Sequence, residues 1–172
     1  MKVTANAQTM DLRPTAAEFA ELSKGGHTVP IYREILADTD TPVSAYMKLR
    51  GECDHTFLFE SVEGGERGAR YCFLGIRPTQ IFRSRGQRVT IEDRVDGSSR
   101  TFEADPRQAL RKMMAPYTVA PQSGLPPFTG GAVGYLAYDG IRLVEDIPES
   151  ATDDLGLDDM VFALYETVIA FD

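Results

Sequence analysis

Apolar positions along the chain fall into short runs divided by glycine, proline and charged residues, and the period of those runs changes from one segment to the next. Residues 1–13 carry no period and form a loose lead. Thr15 and Glu18 have the spacing of a capping box. Phe19 and Leu22 then share one helical face, and Gly25-Gly26 stops the helix. Val29-Pro30-Ile31-Tyr32-Arg33-Glu34-Ile35 is an extended segment, with Pro30 favouring a sheet edge. Thr41-Pro42 supplies an N-cap and a first-turn proline for a second helix through Val43, Tyr46, Met47 and Arg50.

The middle of the chain changes to strand periodicity. Thr56-Phe57-Leu58-Phe59-Glu60-Ser61 is bulky and ends in polar residues, and residues 63–68 are a turn. Arg70-Tyr71-Cys72-Phe73-Leu74-Gly75-Ile76 is nearly continuous in apolar character, as a strand covered on both faces would be. Residues 80–83 and 88–92 alternate and are joined around Arg85-Gly86, and Asp96-Gly97 turns the chain before Thr101-Phe102. The pattern is a meander of four or five strands. Asp105-Pro106 opens a third helix through Ala109, Leu110, Met113 and Met114.

A proline-rich loop over 116–129 leads to a strand over 130–139, after which a short helix carries Ile141 and Val144. Residues 153–159 are an acidic loop, and Met160 to Phe171 is the longest strand candidate. Such a strand needs neighbours: either an earlier strand pairs with it, or the chain is the front of something longer. The expected fold class is α+β, an antiparallel sheet flanked by three or four short helices.

Gly130, Gly131 and Gly134 admit two readings: a backbone cradle for an anion, or the close crossing of another strand. Their spacing is not the dinucleotide-binding fingerprint, which favours the crossing.

The 172 residues are enough for one domain burying roughly 70% of its unfolded surface. Eighteen Lys and Arg against 26 Asp and Glu leave a net charge of −8. That balance argues against nucleic acid or an anionic membrane as the main partner, though a local cluster of donors could still hold a small anion. Cys53 and Cys72, with no CxxC pair and only His27 and His55 as imidazoles, are expected to be reduced, buried thiols rather than zinc ligands. The start, Met1 to Gln8, lacks the apolar core of a signal peptide, so a cytoplasmic location is expected. No nucleophile elbow, metalloprotease helix or Walker loop is present.

One segment has the make-up of a binding site. Alternation puts Phe57, Phe59 and Ser61 on one strand face and Leu58 and Glu60 on the other. A carboxylate and a hydroxyl where an apolar strand stops suit the polar end of an amphipathic ligand, with the aromatic rings meeting its apolar end. The same two residues also serve as turn formers.

Phe57-Leu58-Phe59-Glu60-Ser61-Val62-Glu63-Gly64-Gly65-Glu66-Arg67, followed by Ala69-Arg70-Tyr71-Cys72-Phe73-Leu74-Gly75, resembles the amino-terminal region of anthranilate synthase component I. In that family a Leu-Leu-Glu-Ser-Val-Glu-Gly-Gly-Glu stretch precedes Arg-Tyr-Ser-Phe-Ile-Gly. Further blocks agree in order: Val29 to Glu34, Thr41 to Tyr46, and Gly130 to Tyr135 with Tyr138-Asp139. Phe59 replaces the second Leu and Cys72 the Ser.

The resemblance implies a layered α/β sandwich in which residues 29–172 form the amino-terminal domain behind a lead and short helix over 1–28. It implies a full-length lyase that makes anthranilate and pyruvate from chorismate and an ammonia source in tryptophan biosynthesis. The glutamine amidotransferase subunit (component II) is the implied partner. Mg²⁺ and chorismate are implied for a carboxy-terminal chorismate-binding portion that nothing in this chain matches, and no catalytic residue is assigned here. It also implies an allosteric feedback site for tryptophan at Glu60 and Ser61, with Phe59 beside them and Arg70 and Tyr71 near the position of a basic pocket residue. Rival readings are the same region of aminodeoxychorismate synthase component I in the folate pathway, or a stand-alone amino-acid-binding module.

Overall fold

A computed structural model describes residues 11–51, 53–60, 70–148 and 152–172. The first helix, α1 (Ala16–Leu22), is closed by the expected box: Thr15 Oγ1 accepts from the Glu18 backbone N–H, and Glu18 accepts from that of Thr15. A 3₁₀ turn, Ser23–Gly25, ends at Gly26. In α2 (Pro42–Arg50) Thr41 and Ser44 cap each other in the same way behind the N-terminal proline. α3 (Pro106–Met114) is capped by Asp105, which accepts from the backbone N–H groups of Arg107 and Gln108. The 3₁₀ segment Tyr138–Leu143 stands where the short helix after 139 was expected.

Eight strands are described, β1 (Thr56–Phe59), β2 (Cys72–Ile76), β3 (Gln80–Arg85), β4 (Arg88–Asp93), β5 (Ser99–Glu103), β6 (Gly131–Leu136), β7 (Met160–Tyr165) and β8 (Val168–Phe171). They form not one sheet but two, both antiparallel: β1-β2-β8, and β5-β4-β3-β7-β6. The expected meander is thus divided after β2, where Arg77 takes a left-handed φ of 52° before the buried Pro78.

The expected single strand from Met160 to Phe171 is likewise two. Glu166-Thr167 carries the chain from the large sheet to the small one, and the polar pair that interrupts the apolar run marks the crossing. The two crossings are tied together, since the Thr79 N–H donates to Leu164 O (2.9 Å) and the Thr79 hydroxyl to Glu166 Oε1 (3.2 Å). A third link runs from Arg83 of β3 to His55 Nε2 at the entry to β1 (3.1 Å).

Alternation sorts each sheet into two faces. Even-numbered side chains of the large sheet, among them Phe82, Leu164 and Met160, close against Ala109 and Met113 of α3 together with Val89 and Ile91 of β4. Its other face, with Ile81, Val161, Ala163 and Tyr165, packs against Phe57, Phe73 and Val168 of the small sheet. The far side of the small sheet carries Leu58 and the fully covered Leu74, and α2 lies over it, with the Tyr46 hydroxyl 2.7 Å from that of Thr56. The layers run α2, small sheet, large sheet, α3, an α+β sandwich as expected.

Two further expectations need correction. Val29 to Ile35 joins no sheet. A bridge between Tyr32 and Arg13 and a hydrogen bond from Gln122 Nε2 to Pro30 O (3.3 Å) hold it, while Thr28 is bound to Thr118 and Ala120 of the proline-rich loop. Cys53 and Cys72 are free thiols but only half-buried, Cys72 because β2 ends at the open margin of the small sheet.

Gly134 resolves the glycine cluster in favour of the crossing. A Cβ there would lie 1.8 Å from Val161 O, so β6 and β7 meet at a distance that only glycine allows.

Candidate functional site

The end of the small sheet where β1 stops and β2 begins gathers most of the expected site residues. The β1–β2 ladder ends on Phe59↔Phe73, and β2–β8 on Cys72↔Phe171. Phe59, Glu60, Arg70, Tyr71 and Asp172 therefore lie at one margin, brought there by hairpin register. Ser61 and the 63–68 turn lie outside the described residues.

Aromatic rings line the inner face of this sheet in a graded row. Phe57 is 8% exposed and Phe59 53%, with ring centroids 4.9 Å apart. Tyr165 meets Phe57 edge-on at 4.8 Å, and Phe128 meets Phe57 at 6.2 Å and Phe73 at 5.6 Å. Tyr71 continues the row 6.0 Å beyond Phe73. A Cβ on Gly75 would lie 2.3 Å from the Phe57 ring, so β2 supplies glycine where the ring needs room. The row is sealed by the large sheet at one end and open at the other. Burial pushes the Tyr165 phenol up to about 12, so it remains a neutral wall at physiological pH.

At the open margin the polar groups are few and charged. Glu60 is exposed directly after β1. The Arg70 guanidinium lies 5.1 Å from the Tyr71 ring centroid and forms a two-point pair with Asp172, both contacts at 2.5 Å. That pair raises the Arg70 pKa and holds the Asp172 carboxyl below the ordinary carboxylate range. Both side chains are exposed, so the pair adds little stability; its consequence is that Arg70 already has an anion against it.

Sequence reasoning did not find Phe128, Tyr165 or Asp172. Phe128 sits in a loop without period, Tyr165 looked like one more residue of an apolar run, and Asp172 is 102 positions from its partner. Beside Phe128 lies an open cavity of about 370 Å³ lined by Val119 to Gln122 and Leu125 to Gly130. Among the described residues no three His, Cys, Asp or Glu side chains are grouped to hold a metal, and no helix is long and apolar enough to cross a membrane.

No family model matches the chain. Curated relatives do. Anthranilate synthase component 1 of Acinetobacter calcoaceticus is 39% identical over 163 residues, 90% of this chain and 32% of the relative. That of Acetivibrio thermocellus is 36% identical over 159 residues, 92% of this chain and 32% of the relative. Among solved structures, anthranilate synthase component I from Streptococcus pneumoniae aligns with a TM-score of 0.50 at 30% identity, covering 82% of this chain and 29% of that one. The chain spans about a third of the length of the relatives it matches.

Proposed function

Because the chain is homologous to about a third of anthranilate synthase component 1, we propose that it is the amino-terminal regulatory portion of such an enzyme, contributing the tryptophan feedback site. The whole enzyme would convert chorismate and ammonia, supplied from glutamine by an amidotransferase subunit, into anthranilate and pyruvate. One observation carries the regulatory reading: the aromatic row opens to solvent at Phe59, at the same sheet margin as the exposed Glu60 and as Arg70, whose guanidinium lies against Tyr71.

That arrangement suits a zwitterion with a large aromatic body. Phe59 and Tyr71 offer the indole a ring contact, Glu60 an acceptor for the ammonium, and Ser61 with Arg70 donors for the carboxylate. Binding there would regulate by favouring one arrangement of the two portions of the enzyme, which is differential affinity between two states. Arg70 enters this scheme only by exchanging Asp172 for the ligand carboxylate. Mg²⁺ and the chemistry on chorismate fall to the portion this chain does not span. The anthranilate name of the relatives favours the tryptophan branch over the folate branch.

Titration calorimetry of the chain with tryptophan is expected to give no measurable heat, because the coupled portion is absent. Micromolar affinity would overturn the two-portion scheme and favour a stand-alone sensor. Chorismate, ammonium and Mg²⁺ with the chain are expected to give no anthranilate fluorescence; a normal rate would refute the division of labour.

A further inference from the structure

Phe59 has two aromatic neighbours on the small sheet, and one residue from outside that sheet touches both. Along β1 the next side chain on its face is Phe57, with ring centroids 4.9 Å apart. Across the β1–β2 ladder its partner is Phe73. Phe128 meets Phe57 at 6.2 Å with an interplanar angle of 70°, and Phe73 at 5.6 Å and 84°, edge-on in each case. The register leaves room for such an outsider. Phe57 stands opposite Gly75, so β2 offers no side chain to brace that ring. The bracing falls to Tyr165 of the large sheet and to Phe128 of the proline-rich loop.

The loop is anchored on both sides of this ring. After it, Gly130 and Gly131 take φ values of 137° and 135°, which L side chains rarely adopt. A Cβ on Gly130 would also lie 2.9 Å from Tyr165 O, so the backbone there sits tightly on the large sheet. Before it, the Thr28 N–H donates to Thr118 O (2.8 Å) and the Ala120 N–H to Thr28 O (2.9 Å). Between these anchors the open cavity of about 370 Å³ is lined by loop residues, Phe128 among them. The backbone around Phe128 is therefore fixed, while its ring is wedged against the row on one side and loosely backed on the other. Edge-to-face contacts are directional, so a ring held in this way orients the rings it meets.

We propose that Phe128 is a positioning residue of the feedback site, setting the orientation of Phe59 through Phe57 and Phe73. Phe59 is 53% exposed, so solvent walls half its surface and its buried neighbours orient the rest. The inference rests on the functional reading above and deepens it. It gives the proline-rich loop a part in that site although the loop contributes no strand to the small sheet.

The test is a chimera in which this chain replaces the matching third of the Acinetobacter calcoaceticus relative, assayed for anthranilate synthesis with and without tryptophan. Phe128→Leu keeps an apolar side chain without a ring edge, and Phe128→Ala removes both. Each is expected to raise the tryptophan concentration for half-inhibition at least about threefold, with kcat and the KM for chorismate retained. Leu125→Ala, in the same loop and on the same cavity, is expected to leave inhibition unchanged. A smaller shift in the Phe128 variants, an equal shift in Leu125→Ala, or kcat falling in step would overturn the proposal. A parent chimera that tryptophan does not inhibit would refute the feedback reading and this inference together. An inhibited parent with unaffected Phe128 variants overturns this inference alone. Where a variant chimera does not fold, the chain alone carries the test by nuclear magnetic resonance. The cross-peak between the Phe57 and Phe59 rings is expected to weaken in Phe128→Leu, and an unchanged cross-peak counts against the proposal.

Discussion

The α3-covered face of the large sheet and the inner face of the small sheet obey the same strand alternation, yet they differ in how their rows end. Phe82, Val89 and Leu164 are at most 1% exposed, and α3 closes over them along their whole length. The aromatic row from Phe57 to Phe59 begins buried and finishes in solvent, because the large sheet covers only its inner end. Closed rows set stability, while an open-ended row of rings can present a surface to a ligand without first disrupting the core.

Substitutions should separate the two regions by size of effect. Phe82→Ala leaves a cavity under α3 and is expected to cost about 3–5 kcal/mol by denaturant unfolding, enough to threaten folding of the chain. Gly75→Ala forces a methyl against the Phe57 ring at the sealed end of the row and should cost about 1–3 kcal/mol. Asp105→Ala removes the α3 cap and should cost about 1 kcal/mol. Phe59→Ala, at the open end, should cost under about 1 kcal/mol of stability. A Phe59→Ala loss as large as that of Phe82→Ala would erase the distinction.

A smaller, pH-dependent difference follows from the cap. Arg107 first, and then the backbone N–H groups of Arg107 and Gln108, hold the Asp105 carboxyl below its usual range. A group whose folded pKa is depressed adds stability above the unfolded value and loses it as pH falls, so the window lies below about pH 4. Asp105→Asn keeps a cap without the charge, and acid unfolding curves should show a shallower loss in that window.

Local chemistry made much of this legible. The capping box at Thr15, the N-cap at Thr41 with its first-turn proline, the Asp105 cap and the Asp96-Gly97 turn each depend on residues within a few positions of one another, and all are present. Pairing over long distances was not legible. The apolar run from Met160 looked like one strand because apolar character does not record which sheet a residue joins, and only Glu166-Thr167 betrayed the crossing. The β1–β2 pairing places Phe59, Glu60, Arg70 and Tyr71 at one margin. The rings that back them, Phe128 and Tyr165, come from segments with no motif, and Asp172 reaches Arg70 only through the β2–β8 pairing.

The decisive measurement is tryptophan inhibition of anthranilate synthesis by a chimera in which this chain replaces the matching third of the Acinetobacter calcoaceticus relative. Tryptophan is expected to inhibit it, and Phe59→Ala and Ser61→Ala are each expected to weaken that inhibition at least about tenfold, the scale of losing one buried contact, with kcat retained. Asp172→Asn, which frees Arg70, should strengthen inhibition. Full inhibition in the Phe59→Ala and Ser61→Ala variants, or kcat falling in step with inhibition, would contradict the feedback reading.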